Sequence, residues 1–314
     1  MSFYIGLDTS NYTTSAAAFD AATGALWQVK QLLPVKAGEL GLRQSDAVFH
    51  HVKQLPELLE QLFAQTGVVT LDAFGVSDRP MEAEGSYMPC FLTGEGTARS
   101  LAAASGKPLY RFTHQQGHVM AALYGADMLS LRHKPFLAFH VSGGTTEALL
   151  VKPHAETVIS CISVARSLDL KAGQLIDRVG GLLGLPFPAG SALDKLSLQT
   201  DMVCSPKPSM EGACCHLSGV ENQCRRLLND GASPAEVARF CLLSIQAALV
   251  SMTEQLLMQY GDLPVVYAGG VMSNTLLRSA LQAKFNGLFA PPAFSADNAA
   301  GVAVLTALRA GGEV

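Results

Sequence analysis

A strand–turn–strand pattern occurs twice in the chain and constrains its fold more than any other feature. The first copy spans residues 3–19 and the second spans residues 135–151, so the two are separated by close to half the chain. Each copy consists of an apolar run, a short segment rich in Ser, Thr, Gly and Asn, and a second apolar run, which predicts two strands joined by a turn. The recurrence indicates an internal duplication.

Segments with helical periodicity follow the two copies of the strand–turn–strand pattern. Apolar residues spaced three or four apart from Val48 to Leu62 predict a helix capped by Ser45 or Asp46, and Pro56 predicts a kink or a later start. Strands and helices then alternate, with predicted strands at 73–76, 108–112 and 264–268 and predicted helices at 93–104, 234–260 and from Asn274 onward. This alternation predicts an α/β protein with a central sheet.

A length of 314 residues is enough for about two domains. We expect an N-terminal lobe over residues 1–133 and a C-terminal lobe over 134–314, with a C-terminal helix at 297–314 packing near the first lobe. Residues 190–233 are rich in Ser, Pro and Cys and lack clear periodicity, so they are expected to form a loop-rich insertion.

The charge balance bears on the choice of partner. The formal net charge is −4, so no global basic field favours nucleic acid, and an RNA partner would need a local patch or a helper protein. The short basic runs 132–134 and 225–226 are interpreted as surface residues rather than phosphate contacts.

The cysteines and the apolar segments bear on the compartment. Seven cysteines without a C-x-x-C pair are typical of reduced thiols in a cytoplasmic protein. The N-terminus has no signal-peptide pattern, and no uninterrupted apolar stretch of about 18 residues is found. We therefore expect a cytoplasmic protein without a membrane partner.

Four turns of small residues follow a predicted strand or precede a predicted helix. They lie at residues 8–14, 142–146, 188–191 and 269–274. Small residues let backbone N–H groups approach phosphate oxygens, and a helix N-terminus adds a partial positive charge. One such turn is more often a plain tight turn, but four of them in duplicated contexts indicate a nucleotide site.

The segment His114-Gln-Gln-Gly-His118 places two imidazoles on one helix face at metal-ligand spacing. Two histidines at this spacing on a helix are unrelated to metal binding about as often as they are a pair of metal ligands. Gln115 stands where a metalloprotease helix would carry its general-base Glu, which disfavours peptidase chemistry. A third ligand must come from elsewhere, and Asp297 at a predicted helix start is a candidate, although it also suits a helix cap.

Two further carboxylates, Asp169 and Asp177, lie eight residues apart at helical spacing. Either could contact a ligand hydroxyl or could simply be exposed.

Taken together, these motifs resemble one family, the catalytic subunits of tRNA threonylcarbamoyladenosine synthase, formerly classified as O-sialoglycoprotein endopeptidases. The resemblance is collinear over essentially the whole chain and rests on the segments GLDTSNYT, HQQGH, VSGGTT, AGQLIDRVGGLLGLPFPAG, AGGVMSN and DNAAGVA. It implies the ASKHA (actin-like ATPase) fold, an α/β fold of two duplicated RNase H-like lobes with a nucleotide cleft between them.

The resemblance also implies site residues. His114, His118 and Asp297 would bind one divalent metal, iron or zinc. An ATP- or AMP-type adenylate, with Mg²⁺ as a further candidate ion, would be bound by the residues Ser10, Asn11, Val141, Ser142, Gly143, Gly144, Thr145, Asp177, Gly190, Gly269, Gly270 and Asn274. No catalytic side chain is assigned beyond the metal site.

The implied reaction transfers a threonylcarbamoyl group from its anhydride with AMP to an adenosine of tRNA. The implied partners are tRNA, bound through a complex, and a paralogous ASKHA subunit with an ATPase subunit, or a second copy of the chain. The helices near 48–62 and 114–124 are where pairing is expected.

The chain departs from the family pattern in its substrate pocket. Thr145 stands where family members carry His, and residues 82–89 replace the usual Gly-Pro-Gly loop. Residues 215–222 lack the Lys of the family segment FSFSGLKT. Residues 169–174 lack the second Asp and the Glu of the family run Asp-Asp-Ala-Ala-Gly-Glu. Two alternatives therefore stay open: a nucleotide- and metal-binding paralogue that acts as a partner or regulatory module, and a small-molecule kinase or carbamoyltransferase of the same superfold.

Overall fold

The computed structural model describes residues 3–34, 42–67, 70–291, 294 and 298–312. The chain divides into two units. The first comprises Met1–Lys134, Lys152–Cys161 and Ala293–Val314, and the second comprises Pro135–Val151 and Ile162–Pro292. Each unit is built on one five-stranded sheet, so the mixed α/β class predicted from the alternating pattern is confirmed.

The sheet of the first unit has the strand order β3-β2-β1-β4-β5. Its strands are β1 (Phe3–Ser10), β2 (Thr13–Asp20), β3 (Ala25–Leu32), β4 (Leu71–Arg79) and β5 (Leu109–Thr113). The predicted strand–turn–strand is confirmed, with β1 antiparallel to β2, but the strands extend into the polar segment and leave only Asn11 and Tyr12 as the turn. β-Branched Thr residues on both strands favour this extension.

The described residues of the first unit form the α-helices α1 (Gln44–Thr66), α2 (Phe91–Ser105), α3 (His114–Gly125) and α9 (Asn298–Arg309). Helix α1 begins earlier than predicted: its N-cap residue is Arg43, which makes no side-chain cap bond, instead of Ser45 or Asp46. The helix continues through Pro56. Helix α9 lies against β1 and α3, where only glycine fits. A Cβ at Gly6 would collide with the α9 backbone, and a Cβ at Gly301 would collide with the backbone of α3.

The sheet of the second unit has the strand order β12-β11-β6-β7-β8. Its strands are β6 (Phe136–Val141), β7 (Thr146–His154), β8 (Val158–Arg166), β11 (Val265–Ala268) and β12 (Leu288–Phe289). The second predicted strand–turn–strand is confirmed, because β6 and β7 are antiparallel and join through residues 142–145. The tip of the β7–β8 hairpin, residues 152–161, belongs to the first unit.

The other elements of the second unit are α4 (Ala172–Leu182), α5 (Gly190–Ser197), β9 (Ser209–Glu211), β10 (Cys214–His216), α6 (Ser218–Asn229), α7 (Pro234–Tyr260) and α8 (Thr275–Phe285). Residues 190–233 are thus less irregular than predicted, with α5, a β9–β10 hairpin and α6 within them. The seven cysteines are free thiols, as predicted.

Helix α7 is the central helix of the second unit. It begins at Pro234 because the Ser233 hydroxyl accepts from the Glu236 N–H and the Glu236 carboxylate accepts from Ser233. By length and composition it is the one helix in the described ranges that could cross a membrane. Half of its apolar window is buried within the structure, a pattern that the core helices of globular proteins share.

Candidate functional site

Helix α3 presents the predicted pair of imidazoles. The helix starts at His114 because the hydroxyl of Thr113 accepts from the Gln116 N–H at 3.2 Å, while the Gln116 side chain accepts from the Thr113 N–H at 2.7 Å. This capping box places His114 and His118 one turn apart, with ring centroids 4.6 Å from each other. The spacing suits two ligands of one metal ion.

Asp8 orients the first of these imidazoles. Its Oδ2 lies 2.9 Å from His114 Nδ1, and its side chain is fully buried on β1. Burial by itself would raise the pKa of Asp8, but the His114 ring beside it and the N–H of Ser10 hold that pKa below its ordinary value. Asp8 is therefore a carboxylate at neutral pH and accepts the Nδ1–H proton of His114.

This pairing assigns the tautomer of His114. With the proton on Nδ1, the lone pair lies on Nε2, the nitrogen that a metal would use. An imidazole that donates its other N–H to a carboxylate is the usual arrangement of a metal-binding histidine. The described part of the metal site, formed by His114 and His118 with Asp8 behind His114, thus fits a divalent metal.

The third predicted ligand, Asp297, lies outside the described residues, one position before α9. Within the described ranges, no group of three metal-binding side chains is found. In the sequence, Asp8 belongs only to a small-residue turn, and nothing there indicates its contact with His114, since no local pattern relates positions so far apart.

Gln116 ties α3 to two other segments of the first unit. Its Nε2 donates to Glu82 Oε1 and to the Ile159 carbonyl, both at 2.7 Å. The Glu82 carboxylate also accepts from Ser160 Oγ at 2.6 Å and from the Cys161 N–H at 2.9 Å. Glu82 lies in the segment that replaces the Gly-Pro-Gly loop of the family, so here a carboxylate connects that segment to the imidazole helix.

The second unit contains a cavity of about 600 Å³. The residues that line it and were predicted from the sequence are Ser142, Gly143, Asp177, Gly190, Gly270 and Asn274. An added Cβ at Gly143, Gly190 or Gly270 would meet no atom within 4 Å, so the backbone is uncovered at these points of the wall. Such positions allow the close backbone approach that a phosphate needs.

The turn between β6 and β7 forms one wall of this cavity. Ser142 N donates to the Thr145 carbonyl at 2.8 Å, and Thr145 N donates to Ser142 Oγ at 3.2 Å. The turn also packs on the start of α4, where Gly173 N donates to the Ser142 carbonyl and a Cβ at Gly173 would collide with the backbone of Gly143. The turn is therefore held rigidly at the helix N-terminus.

Two carboxylates lie at the cavity wall. Asp177 Oδ1 accepts from the Ala189 N–H at 2.8 Å, which connects α4 to the start of α5. Asp194 accepts from Asn274 Nδ2 at 2.9 Å and from the Thr275 hydroxyl at 2.9 Å. The Asn274 amide, predicted as a ligand contact, thus bonds Asp194 and also caps α8 through the Leu277 N–H.

Other predicted pocket residues do not line the cavity. Val141, Gly144 and Gly269 are next to lining residues in the chain, and Thr145 lies two positions after Gly143, while Ser10 and Asn11 lie in the first unit. Asn11 Oδ1 accepts from the Gln44 side chain. Asp194 and Phe187 also line the cavity, and no sequence pattern predicts them there. The aromatic side chain of Phe187 is 84% exposed.

Asp169 does not share a helix face with Asp177, because it precedes α4. Its carboxylate accepts from the N–H groups of Leu170 and Leu217 at 2.6 and 2.7 Å and from the Ser218 hydroxyl at 2.5 Å. Burial raises the pKa of Asp169, but the hydrogen bonds from Ser218, Leu217 and Leu170 lower it to about 2. Asp169 therefore stabilises the start of α6.

Asp169→Asn is expected to lower the free energy of unfolding, and the loss should depend on pH. Because the folded pKa, about 2, lies below the ordinary value near 4, the carboxylate stabilises the protein above about pH 4, and this contribution is lost as the pH falls towards 2. Urea unfolding of both proteins from pH 7 to pH 2 measures the difference. Asp201→Asn, at an exposed position, is the control, and a difference independent of pH would contradict the assignment.

The fold defines the class of protein. Two five-stranded sheets, each containing an antiparallel strand–turn–strand, are the architecture of the ASKHA-type, actin-like ATPases. HypF from T. kodakarensis superposes with a TM-score of 0.62 at 13% identity, covering 99% of this chain and 47% of that one. The (R)-2-hydroxyglutaryl-CoA dehydratase component A of Acidaminococcus fermentans superposes with a TM-score of 0.54 at 13% identity, covering 99% and 100%. These likenesses show the fold alone.

Sequence comparison then shows the family. Residues 38–304 match the family model TsaD, described as tRNA N6-adenosine threonylcarbamoyltransferase. A relative of that name from Bacillus licheniformis is 30% identical, over 96% of this chain and 90% of its own length. Another from Geobacillus kaustophilus is 32% identical, over 81% of this chain and 76% of its own length. The chain therefore belongs to the TsaD family, a family of transferases, which confirms the resemblance drawn from its motifs.

Proposed function

We propose that the chain transfers a threonylcarbamoyl group from threonylcarbamoyl-AMP to the exocyclic amine of an adenosine in tRNA. The observation that carries this proposal is the match of residues 38–304 to a family described by that transferase activity on tRNA adenosine. The amine nitrogen bonds to the carbamoyl carbon, the bond from that carbon to the phosphate oxygen breaks, AMP leaves, and the amine loses a proton. Such a transfer needs no nucleophilic side chain.

The cavity of the second unit suits the adenylate. Asp177, fixed by the Ala189 N–H, has carboxylate oxygens that can accept from a ribose hydroxyl. The uncovered backbone at Gly143, Gly190 and Gly270 can approach phosphate oxygens. The exposed ring of Phe187 offers a face on which a purine base can stack.

We assign the metal to His114, His118 and Asp297, and the donor set suits iron or zinc. When bound, a divalent metal supplies Lewis-acid polarisation of a carbonyl or phosphoryl oxygen. The chain's own contribution is the orientation of His114 by Asp8, whose buried carboxylate holds the proton on Nδ1. The adenylate, with Mg²⁺ as a further candidate ion, would bind in the cavity of the second unit and not at this metal site.

We further propose that the protein acts in the cytoplasm and binds tRNA as part of a complex. A chain with a net charge of −4 gains little from long-range attraction to RNA, so a partner that supplies phosphate contacts is favoured. A paralogous ASKHA subunit with an ATPase subunit, or a second copy of the chain, would supply them, with α1 and α3 as the pairing helices.

One observation favours a second candidate, a nucleotide- and metal-binding regulatory module. Residues 82–89 replace the family's Gly-Pro-Gly loop, and Glu82 in that segment is bonded to Gln116 and to the hairpin tip rather than left available for substrate. Such a protein would bind the adenylate without turnover on tRNA.

The proposed function is tested with the metal-loaded protein, threonylcarbamoyl-AMP, tRNA and the partner subunits. Mass spectrometry of digested tRNA is expected to detect threonylcarbamoyladenosine. Asp177→Asn keeps an oxygen for the Ala189 N–H but loses the charge, so we expect the affinity for ATP and AMP, measured by calorimetry, to fall about tenfold or more.

Asp230→Asn is the matched control, because Asp230 lies at the end of α6, outside the cavity lining. Adenylate binding by the wild type without any modified adenosine would favour the regulatory module over the transferase. Equal affinities of Asp177→Asn and Asp230→Asn would remove Asp177 from the binding site.

A further inference from the structure

A second cavity lies in the first unit and belongs to neither of the sites assigned above. Its volume is about 510 Å³. It is formed by a 3-10 turn (Leu129–His133), the tip of the β7–β8 hairpin and the end of α9. Its lining includes the basic and imidazole side chains of Arg132, His133, His154 and Arg309 and the apolar residues Val158 and Leu308.

The side-chain charges at this cavity are positive. Arg132 and Arg309 carry permanent charges, and no Asp or Glu is among the described residues that line it. Arg132 Nη1 donates to the Leu129 carbonyl at 2.9 Å, and Arg309 Nε donates to the Glu156 carbonyl at 2.8 Å. The Arg309 guanidinium also lies 5.5 Å from the centroid of the Tyr110 ring, a contact that uses none of its N–H donors. A guanidinium has five N–H donors, so most remain for an acceptor. No ion pair of either arginine with another described residue is found.

The hairpin tip adds a neutral donor. His154 Nδ1 accepts from the Thr157 N–H at 3.2 Å and lies 2.8 Å from the Thr157 hydroxyl. An acceptor at Nδ1 places the ring proton on Nε2, and His154 is exposed, so this N–H is a third kind of donor at the cavity. The tip thus adds an N–H donor beside the two arginines, and its one acidic residue, Glu156, contacts Arg309 through its carbonyl and is not among the lining residues.

The same tip holds a strained residue. Val158 has a φ of +68°, in the left-handed region that β-branched residues rarely adopt. Hydrogen bonds on either side of it hold this conformation, from Ile159 N to the Thr157 carbonyl at 2.8 Å and from the Thr157 hydroxyl to the Ile159 carbonyl at 3.0 Å. Backbone strain of this kind persists where the surrounding structure fixes it and is concentrated at functional sites.

Two arginines with most of their donors available, beside an imidazole N–H, match the oxygens of a phosphate group, which guanidinium groups bind in a bidentate manner. The net charge of −4 means that an RNA substrate needs a local basic patch or a partner that supplies phosphate contacts. We propose that this basic cavity binds a backbone phosphate of the RNA substrate, so that Arg132 contacts phosphate, contrary to the interpretation of residues 132–134 as surface residues. The inference rests on the proposed function for the choice of RNA, whereas free nucleotide or inorganic phosphate would share the same chemistry.

The test is the salt dependence of tRNA binding by the full chain together with its partner subunits. Fluorescence anisotropy of a labelled tRNA is measured over a series of salt concentrations. For the double variant Arg132→Gln with Arg309→Gln, we expect the slope of log K against log salt concentration to become shallower by about one, because the two arginines share one phosphate and each phosphate that is no longer neutralised removes about one.

Two matched variants separate charge from structure. Arg132→Lys with Arg309→Lys loses the same carbonyl hydrogen-bond geometry but keeps both charges, so its slope should stay close to that of the wild type. Arg225→Gln with Arg226→Gln removes two exposed charges from α6 in the second unit, and its slope should not change. The proposal is supported if the Gln variant of the cavity has a shallower slope while the Lys variant and the α6 variant keep the wild-type slope.

An unchanged slope in the Gln variant overturns the proposal, as does a wild type that does not bind tRNA. Calorimetry with inorganic phosphate and with ATP identifies the source of the phosphate. If the Gln variant loses binding of either compound while its tRNA slope stays unchanged, the RNA assignment is wrong. Adenosine modification is assayed separately, so a wild type that modifies tRNA while the slopes stay equal leaves the proposed function standing and removes only this inference.

Discussion

Asp8→Asn is expected to lower the affinity of the protein for a divalent metal by about 10- to 100-fold, the usual cost of losing the carboxylate behind a ligand imidazole. The buried Asp8 oxygen, 2.9 Å from His114 Nδ1, holds the ring proton on that nitrogen and leaves the Nε2 lone pair for the metal. An asparagine in its place removes the charge and weakens this preference. His114→Ala is expected to abolish binding. Elemental mass spectrometry, together with a competitive chelator titration, measures both effects.

Asp20→Asn serves as the control, because Asp20 is a buried carboxylate of the same sheet that bonds Ala22 and Thr23 and no imidazole. Its metal content should equal that of the wild type, one ion per chain. Equal affinities of Asp8→Asn and Asp20→Asn would show that Asp8 does not act through His114. A wild type that binds neither metal nor nucleotide would move the role of a partner or regulatory module ahead of the transferase.

Gly301→Ala is expected to produce a large loss of stability for the addition of one methyl group. Its Cβ would collide with the Gly117 carbonyl and the Ala121 N–H of α3, which are backbone atoms that cannot move independently of the helix. Overpacking of this kind costs about 1–3 kcal/mol, sometimes more, and should lower the melting temperature by several degrees. Since Gly117 lies between His114 and His118, metal affinity should fall as well.

Gly96→Ala is the matched control. Gly96 lies inside α2, and its added Cβ would meet no atom within 4 Å, so this change should leave stability unaltered or raise it by up to about 1 kcal/mol. Thermal unfolding and metal content are measured on both variants. If Gly301→Ala behaved like Gly96→Ala, the close packing of α9 on α3 would be disproved.

Local patterns predicted the elements that carry the site. Helix α7 has the bounds that its helical periodicity predicts, and its capping serine and the proline at its first position lie within the same stretch of chain. The turn predicted at 142–146 is observed at 142–145, where small residues separate two apolar runs. The start of α1 was less accurate, because its observed N-cap, Arg43, makes no side-chain cap bond that a sequence pattern could indicate.

The contacts that shape the site were not predictable in this way. Asp194 bonds Asn274 from 80 positions away, so the Asn274 amide that was expected to contact a ligand is used within the protein. Asp169 and Asp177 matched a helical spacing, yet the helix begins only at Ala172 and the two carboxylates have different roles. In each case a hydrogen bond to a distant segment, rather than local propensity, determined the outcome.

The amino-acid sequence by itself determined the duplicated strand–turn–strand units, the α/β class, the family and the imidazole pair on one helix face, because each depends on residues that are neighbours in the chain or on motifs in a fixed order. Only the tertiary structure decided that Asp8 orients His114 and that Arg132 meets Arg309 at one basic cavity. These pairs are 106 and 177 positions apart, and only packing of the sheet and helices brings them together. Hydrogen bonding and charge depend on distance in space, which a local pattern does not contain.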